Sequence, residues 1–89
     1  MKKCGVYILK SLKNNSYYVG STSNIDRRLS QHNSGLSYST KKLIPLVLVS
    51  FIPCDSLKEA RANEYRLKKY KRKDILEKVI KDKIFPWNY

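Results

Sequence analysis

The sequence predicts an α+β domain with its elements in the order β-β-α-β-α-α, a small antiparallel sheet with helices packed on it. Three observations lead there. Two short tracts near the start, CGVYILK over residues 4–10 and YYVGS over 17–21, are rich in β-branched and aromatic residues. Two later segments, from about residue 24 and from about residue 57, carry helical periodicity behind good capping residues. Between them runs PLVLVSFI, residues 45–52, a nearly unbroken apolar stretch closed by Pro53.

The first two strands flank Lys13-Asn14-Asn15-Ser16, where asparagine tolerates the positive φ of a tight turn. A connecting loop of even length, such as a two-residue turn at Asn14-Asn15, puts Tyr7 and Tyr18 on one face of the hairpin. An odd loop separates them. The helix over about 24–33 takes Ser23 or Asn24 as N-cap, and Gly35 suits its left-handed C-terminal position. Ile25, Leu29 and His32 share its inner face and Arg28 lies on the flank. A polar loop leads to the apolar run of 45–52, which reads as a strand buried on both faces. Ser56-Leu57-Lys58-Glu59 has the form of a capping box, with Asp55 adding charge that suits a helix start. The helix it opens should reach about Tyr70, with Leu57, Ala60, Glu64 and Leu67 as its inward stripe. A last helix over about 74–81 carries Ile75, Leu76, Val79 and Ile80.

Eighty-nine residues are too few for two separate cores, so residues 1–89 are expected to form one domain. The net charge of +12, from 19 basic and 7 acidic residues, points to a polyanionic partner, with nucleic acid ahead of a membrane surface. No stretch approaches the roughly 20 apolar residues of a membrane span, and no small-residue cleavage site follows the basic N-terminus. Cys4 and Cys54 lack metal-ligand spacing and read as reduced thiols of a cytoplasmic protein.

Five side chains stand out chemically. Glu64 sits in the middle of an inward stripe, where a carboxylate requires an ion-pair partner or a cation. Arg61, Lys68 or an arginine of the first helix would serve as partner. The other reading is a metal ligand, since a hard divalent cation needs only one or two carboxylates when substrate phosphates complete its shell. Arg28 can present parallel donors to a phosphate, and His32, four residues on, can accept or relay a proton near neutral pH. Tyr7 and Tyr18 occupy mirrored settings beside Gly5 and Gly20, glycines that weaken a strand and mark a close approach. A phenol serves as a base at neutral pH only where cations lower its pKa from about 10. Six cations in the eight residues 66–73 (Arg66, Lys68, Lys69, Lys71, Arg72 and Lys73), with Lys41 and Lys42, read as a footprint for a phosphate backbone.

Gly5-Val6-Tyr7, then Tyr18-Val19-Gly20, then Arg27-Arg28-Leu29 with His32, and a helix bearing Glu64 together resemble the GIY-YIG nuclease superfamily, above all its small stand-alone bacterial members. Val6 and Val19 stand where the signature has isoleucine, and the family's asparagine beyond the glutamate helix has no counterpart here but Asn88 at the tail. The resemblance implies a three-stranded antiparallel sheet and a metal-dependent endonuclease acting on DNA, with RNA a further possible substrate. It implies that Tyr7 activates water, that Tyr18 supports it or contacts the phosphate, and that Arg28 holds the scissile phosphate. His32 would join the hydrogen-bond network, and Glu64 would be the sole protein ligand of one Mg²⁺ or Mn²⁺. The expected products are 5′-phosphate and 3′-hydroxyl ends. The competing expectation is a non-catalytic nucleic-acid-binding module with the same basic face; a homodimer or a specificity partner would fit either.

Overall fold

Each expected element is present in the expected order in the computed structural model, which describes residues 3–36, 40–70 and 72–88. Strands β1 (Gly5–Ser11) and β2 (Tyr17–Thr22) precede helix α1 (Ile25–Asn33). Strand β3 (Leu46–Pro53) then leads into helices α2 (Leu57–Lys68) and α3 (Lys73–Asp82). Short 3-10 turns lie at Lys41–Leu43 and Pro86–Asn88. The sheet order is β2-β1-β3 with both pairings antiparallel, and β1, the most fully buried strand, takes the centre.

The hairpin closes on Ser11, whose amide donates to Ser16 O and whose carbonyl accepts from Asn15 N, both at 2.9 Å. Asn15 takes the positive φ, 61°, and Ser11 Oγ accepts from the amides of Lys13 and Asn14. The loop therefore spans residues 12–15 rather than two residues. Its length is still even, and Leu9 opposite Tyr18 with Tyr7 opposite Gly20 puts both tyrosines on one face.

That face packs against α1 through Tyr7, Leu9, Ile25 and Leu46. The other face, with Val6, Ile8 and Val19, packs against Ala60 and Leu67 of α2, Val79 of α3 and Phe85. Asn24 caps α1 by accepting from Arg27 N, and Gly35 follows it at φ 80°. The Asn33 amide then bonds both backbone groups of Leu46, at 2.9 and 2.8 Å, tying the end of α1 to β3. The capping box of α2 forms as expected, with Glu59 N on Ser56 Oγ and Asp55 N on Glu59 Oε2, each at 3.1 Å.

One expectation fails. Strand β3 is not buried on both faces: it lies at the sheet edge, with Val47 and Leu48 each 38% exposed. Its unbroken apolar run has a different origin. A register shift pairs Ile8 with Ser50 but Leu9 with Leu48, and Val49 packs with the same core as Ile8. This bulge breaks the in–out alternation that a regular edge strand would show. Cys4 and Cys54 are free thiols, and among the described residues no helix is long and apolar enough to cross a membrane.

Candidate active site

Tyr7 points from the central strand toward α1 and is 1% exposed. Its Oη accepts from Arg28 Nε at 3.3 Å and lies 2.9 Å from His32 Nε2. The ring passes over Gly20 so closely that an added Cβ there would overlap Cζ and Oη of Tyr7. The close approach marked by Gly20 is thus made by the protein's own phenol. Gly5 is fixed in the same way, because a Cβ would meet Ile52 O and the Phe51 ring.

His32 is fully buried, as is Thr40, whose Oγ1 lies 2.5 Å from His32 Nδ1. Because Tyr7 Oη already accepts from Arg28, its own proton is best placed on the lone pair of Nε2. His32 then carries its hydrogen on Nδ1 and donates to Thr40. The Tyr18 ring meets the His32 ring edge-on at 5.3 Å and lies 6.5 Å from Tyr7. Arg28 Nη1 donates to Gln31 Oε1 at 3.3 Å, which orients the guanidinium along α1.

Glu64 approaches from α2, on the opposite side of the sheet, at the β2 edge. Ser21 Oγ donates to its Oε1 at 2.5 Å, and Lys68 Nζ lies 2.6 Å from Oε2. The side chain is 21% exposed, so this carboxylate looks out at solvent from the rim of the core. The ion pair foreseen for a core-facing acid therefore exists, with Lys68 as the partner, and it lies beside the tyrosines. Lys68 Nζ sits 5.8 Å from the Tyr18 ring, and the charge of Glu64 is felt at both Tyr7 and Arg28.

Burial raises the pKa of Tyr7, and the hydrogen bond and charge of Arg28 oppose this without cancelling it. Arg28 is held more firmly protonated, first by its bond to Tyr7. His32 moves down, through burial and then the Arg28 charge, so it is neutral at pH 7 and its Nε2 can accept a proton. Lys68 is raised, first by its hydrogen bond to Glu64.

The structure brings Tyr7, Tyr18, Arg28, His32 and Glu64 to one edge of β2. Several cations of the basic run have partners within the chain. Arg66 stacks its guanidinium 4.3 Å over Trp87, and Arg72 forms a two-pronged bond to Asp74. Lys69 lies over Tyr65 and Lys73 over Tyr17. Lys41 and Lys42 are exposed on the 3-10 turn, and Lys71 lies outside the described residues. Asn88 is exposed in the C-terminal 3-10 turn.

Sequence reasoning missed Ser21, Gln31 and Thr40. Ser21 adjoins Gly20 and Gln31 lies one turn from Arg28, so both could have been inferred from spacing. Thr40 had no local signal. Also unforeseen is a cleft of about 240 Å³ between α1 and α2, where Arg27 and Arg61 join Arg28.

Comparison with known proteins agrees with this architecture. The family model of the GIY-YIG catalytic domain matches residues 3–83. A UPF0213 protein of Staphylococcus haemolyticus is 39% identical over 80 residues, 89% of this chain and 96% of that protein. A UPF0213 protein of Clostridium perfringens is 36% identical over 85 residues, covering 94% and 90% respectively. The structure-specific endonuclease subunit SLX1 of Debaryomyces hansenii is 54% identical over 43 residues, 43% of this chain and 12% of that protein. No solved structure matches. The matched span runs from before β1 to beyond α3, and on that ground the chain belongs to the GIY-YIG family.

Proposed function

We propose that this chain is a divalent-metal-dependent endonuclease that hydrolyses DNA phosphodiester bonds at the edge of β2. The observation that carries the proposal is the setting of the Tyr7 phenol oxygen. A fixed cation, Arg28, and a neutral proton acceptor, His32, both meet it. The name of the Debaryomyces hansenii relative, an endonuclease subunit, supports the same reaction class.

The residues fit a divalent ion. Glu64 is a partly exposed carboxylate that already holds a cation, the ammonium of Lys68, at 2.6 Å. Among the described residues no group of three or more acidic, histidine or cysteine side chains forms a protein-only cage. A hard ion such as Mg²⁺ or Mn²⁺ needs no such cage when phosphate oxygens supply the remaining ligands. Glu64 would hold it, and bound there the ion would offset the negative charge developing on the phosphate.

The chain's own groups divide the rest of the work. Arg28 uses two of its five N–H groups on Tyr7 and Gln31 and keeps three for a phosphate. A phosphate drawing on Arg28 loosens the long 3.3 Å contact and opens the phenol oxygen to water. Water then gives its proton to Tyr7 Oη as the phenol proton passes to His32 Nε2, so Tyr7 never has to persist as a buried anion. Thr40 holds the imidazole in the tautomer that leaves Nε2 free. The hydroxide attacks phosphorus, the P–O3′ bond breaks, and the departing 3′-alkoxide takes a proton from solvent water while His32 returns its own to solvent, giving 5′-phosphate and 3′-hydroxyl ends. Tyr18, packed on His32, limits the motion of the imidazole.

The test is incubation of the pure protein with plasmid, nicked and branched DNA in Mg²⁺ or Mn²⁺. Cleavage by the wild type that is lost in Glu64→Ala and in Arg28→Ala is expected. Cleavage unchanged in either variant would overturn the assignment. The Lys68–Glu64 ion pair favours one second reading, a binding module that retains the fold and never turns over. That module would bind DNA tightly and with strong salt dependence, yet cut nothing in any metal.

A further inference from the structure

The cleft between α1 and α2 has arginines on both walls. Arg27 and Arg28 line it from α1, Arg61 lines it from α2, and the end of β2 closes it through Ser21, Thr22 and Ser23. Among the described residues no acidic side chain lines it. Most of the polar groups there are already committed. Arg28 is bonded to Tyr7 and Gln31, Ser21 to Glu64, and Thr22 to Asn24. Arg27 and Arg61 differ: both are exposed, and among the described residues neither guanidinium has an acid or hydrogen-bond partner. The sequence reading puts the phosphate footprint on residues 66–73 together with Lys41 and Lys42. There Lys68, Arg66 and Arg72 are engaged by Glu64, Trp87 and Asp74, whereas the two cleft arginines are not engaged.

We propose that this cleft is a subsite for the backbone phosphate next to the scissile one on the same strand, gripped by Arg27 and Arg61. The proposal rests on the nuclease reading above and adds a second phosphate contact to it. Two like charges facing one cavity repel until an anion sits between them, and a guanidinium offers paired donors matched to phosphate oxygens. The volume of about 240 Å³ is several times the roughly 30 Å³ of a water molecule, room enough for a hydrated phosphate group. Arg28 forms a wall of both places, so a strand whose scissile phosphate lies on Arg28 runs directly into the cleft. The phosphate within reach is then the next one along that strand, because the opposite strand of a duplex lies across a groove. Ser23 adds a further hydroxyl to the lining.

The experiment uses ¹⁵N-labelled full-length protein in EDTA, which prevents cleavage. The arginine Nε–H resonances are followed during titration with the dinucleotide dTpT, which has one phosphodiester, and with the trinucleotide dTpTpT, which has two. The expected result is a shift of Arg28 with both probes and a shift of Arg27 and Arg61 with dTpTpT. The second phosphate should tighten binding roughly tenfold in the wild type and less than twofold in the Arg27→Gln/Arg61→Gln variant. Movement of Arg28 with Arg27 and Arg61 unmoved, or an equal gain in the variant, overturns the subsite and leaves the nuclease reading standing. No movement of any of the three arginines overturns both.

Discussion

Strand β1 separates two interiors of opposite character. Toward α2 and α3 it turns Val6 and Ile8 into an apolar core with Val19, Ala60, Leu67, Val79 and Phe85. Toward α1 it turns Tyr7 into a setting where His32 and Thr40 are fully buried although both are polar. The second interior is tolerable because its polar atoms are paired in series, from Arg28 to Tyr7, His32 and Thr40. The only buried side-chain polar atom without a partner among the described residues is Ser50 Oγ, and Ser50 pairs with Ile8 on the apolar side. One interior supplies stability and the other positions charge and protons. They share a backbone, so each can be disturbed with the other as control.

The largest expected effect falls on the apolar side alone. Leu67→Ala, at a fully buried position, should lower unfolding stability by about 2–5 kcal/mol in urea titrations while leaving the cleavage rate per folded molecule unchanged. A matching loss of rate would show that the two interiors are coupled.

The second effect falls on the polar side alone. His32→Gln should slow cleavage by about a hundredfold. In the wild type His32 must be neutral to accept the Tyr7 proton, and burial together with Arg28 holds its pKa below the usual 6.5. The rate should therefore be full at neutral pH and fall only as the pH drops below 6.5 and His32 becomes protonated. The acid limb should disappear in the variant; a limb unchanged in His32→Gln would assign it to another group.

The third variant strikes both interiors. Gly20→Ala forces a methyl group against Tyr7 and should cost about 1–3 kcal/mol of stability as well as activity, because the ring can clear it only by leaving His32. The smallest effect is a gain. Ser50→Ala removes the unpartnered hydroxyl and should raise stability by about 1 kcal/mol in the same titrations, with the rate untouched.

What the sequence made legible was local. The even loop, the Asn24 cap, the Ser56–Glu59 capping box and the Glu64–Lys68 pair each lie within a few residues of chain, and each is present. Hairpin parity carried furthest: it tied a shared face for Tyr7 and Tyr18 to an even loop, and the structure supplies the even loop. Long-range features were illegible. The edge position of β3 and its bulge at Val49 depend on pairing with a strand some forty residues earlier, and an apolar run is common to buried and bulged strands. Thr40 lies in a polar loop, where nothing in the sequence marks its reach to His32 Nδ1. The partners of the basic run were illegible for a physical reason. Charge density along a chain does not reveal which cations find an aromatic face or an acid once the chain folds, as Arg66 and Arg72 do.

The central claim is that Arg28 and Glu64, drawn from opposite sides of the sheet, act as one catalytic unit on one phosphate. Single-turnover cleavage rates for the wild type, Arg28→Ala, Glu64→Gln and the double variant test it most directly. The account predicts that each single change costs about 10²–10³ in rate and that the double variant is hardly slower than the worse single one. Losses that multiply in the double variant would contradict it.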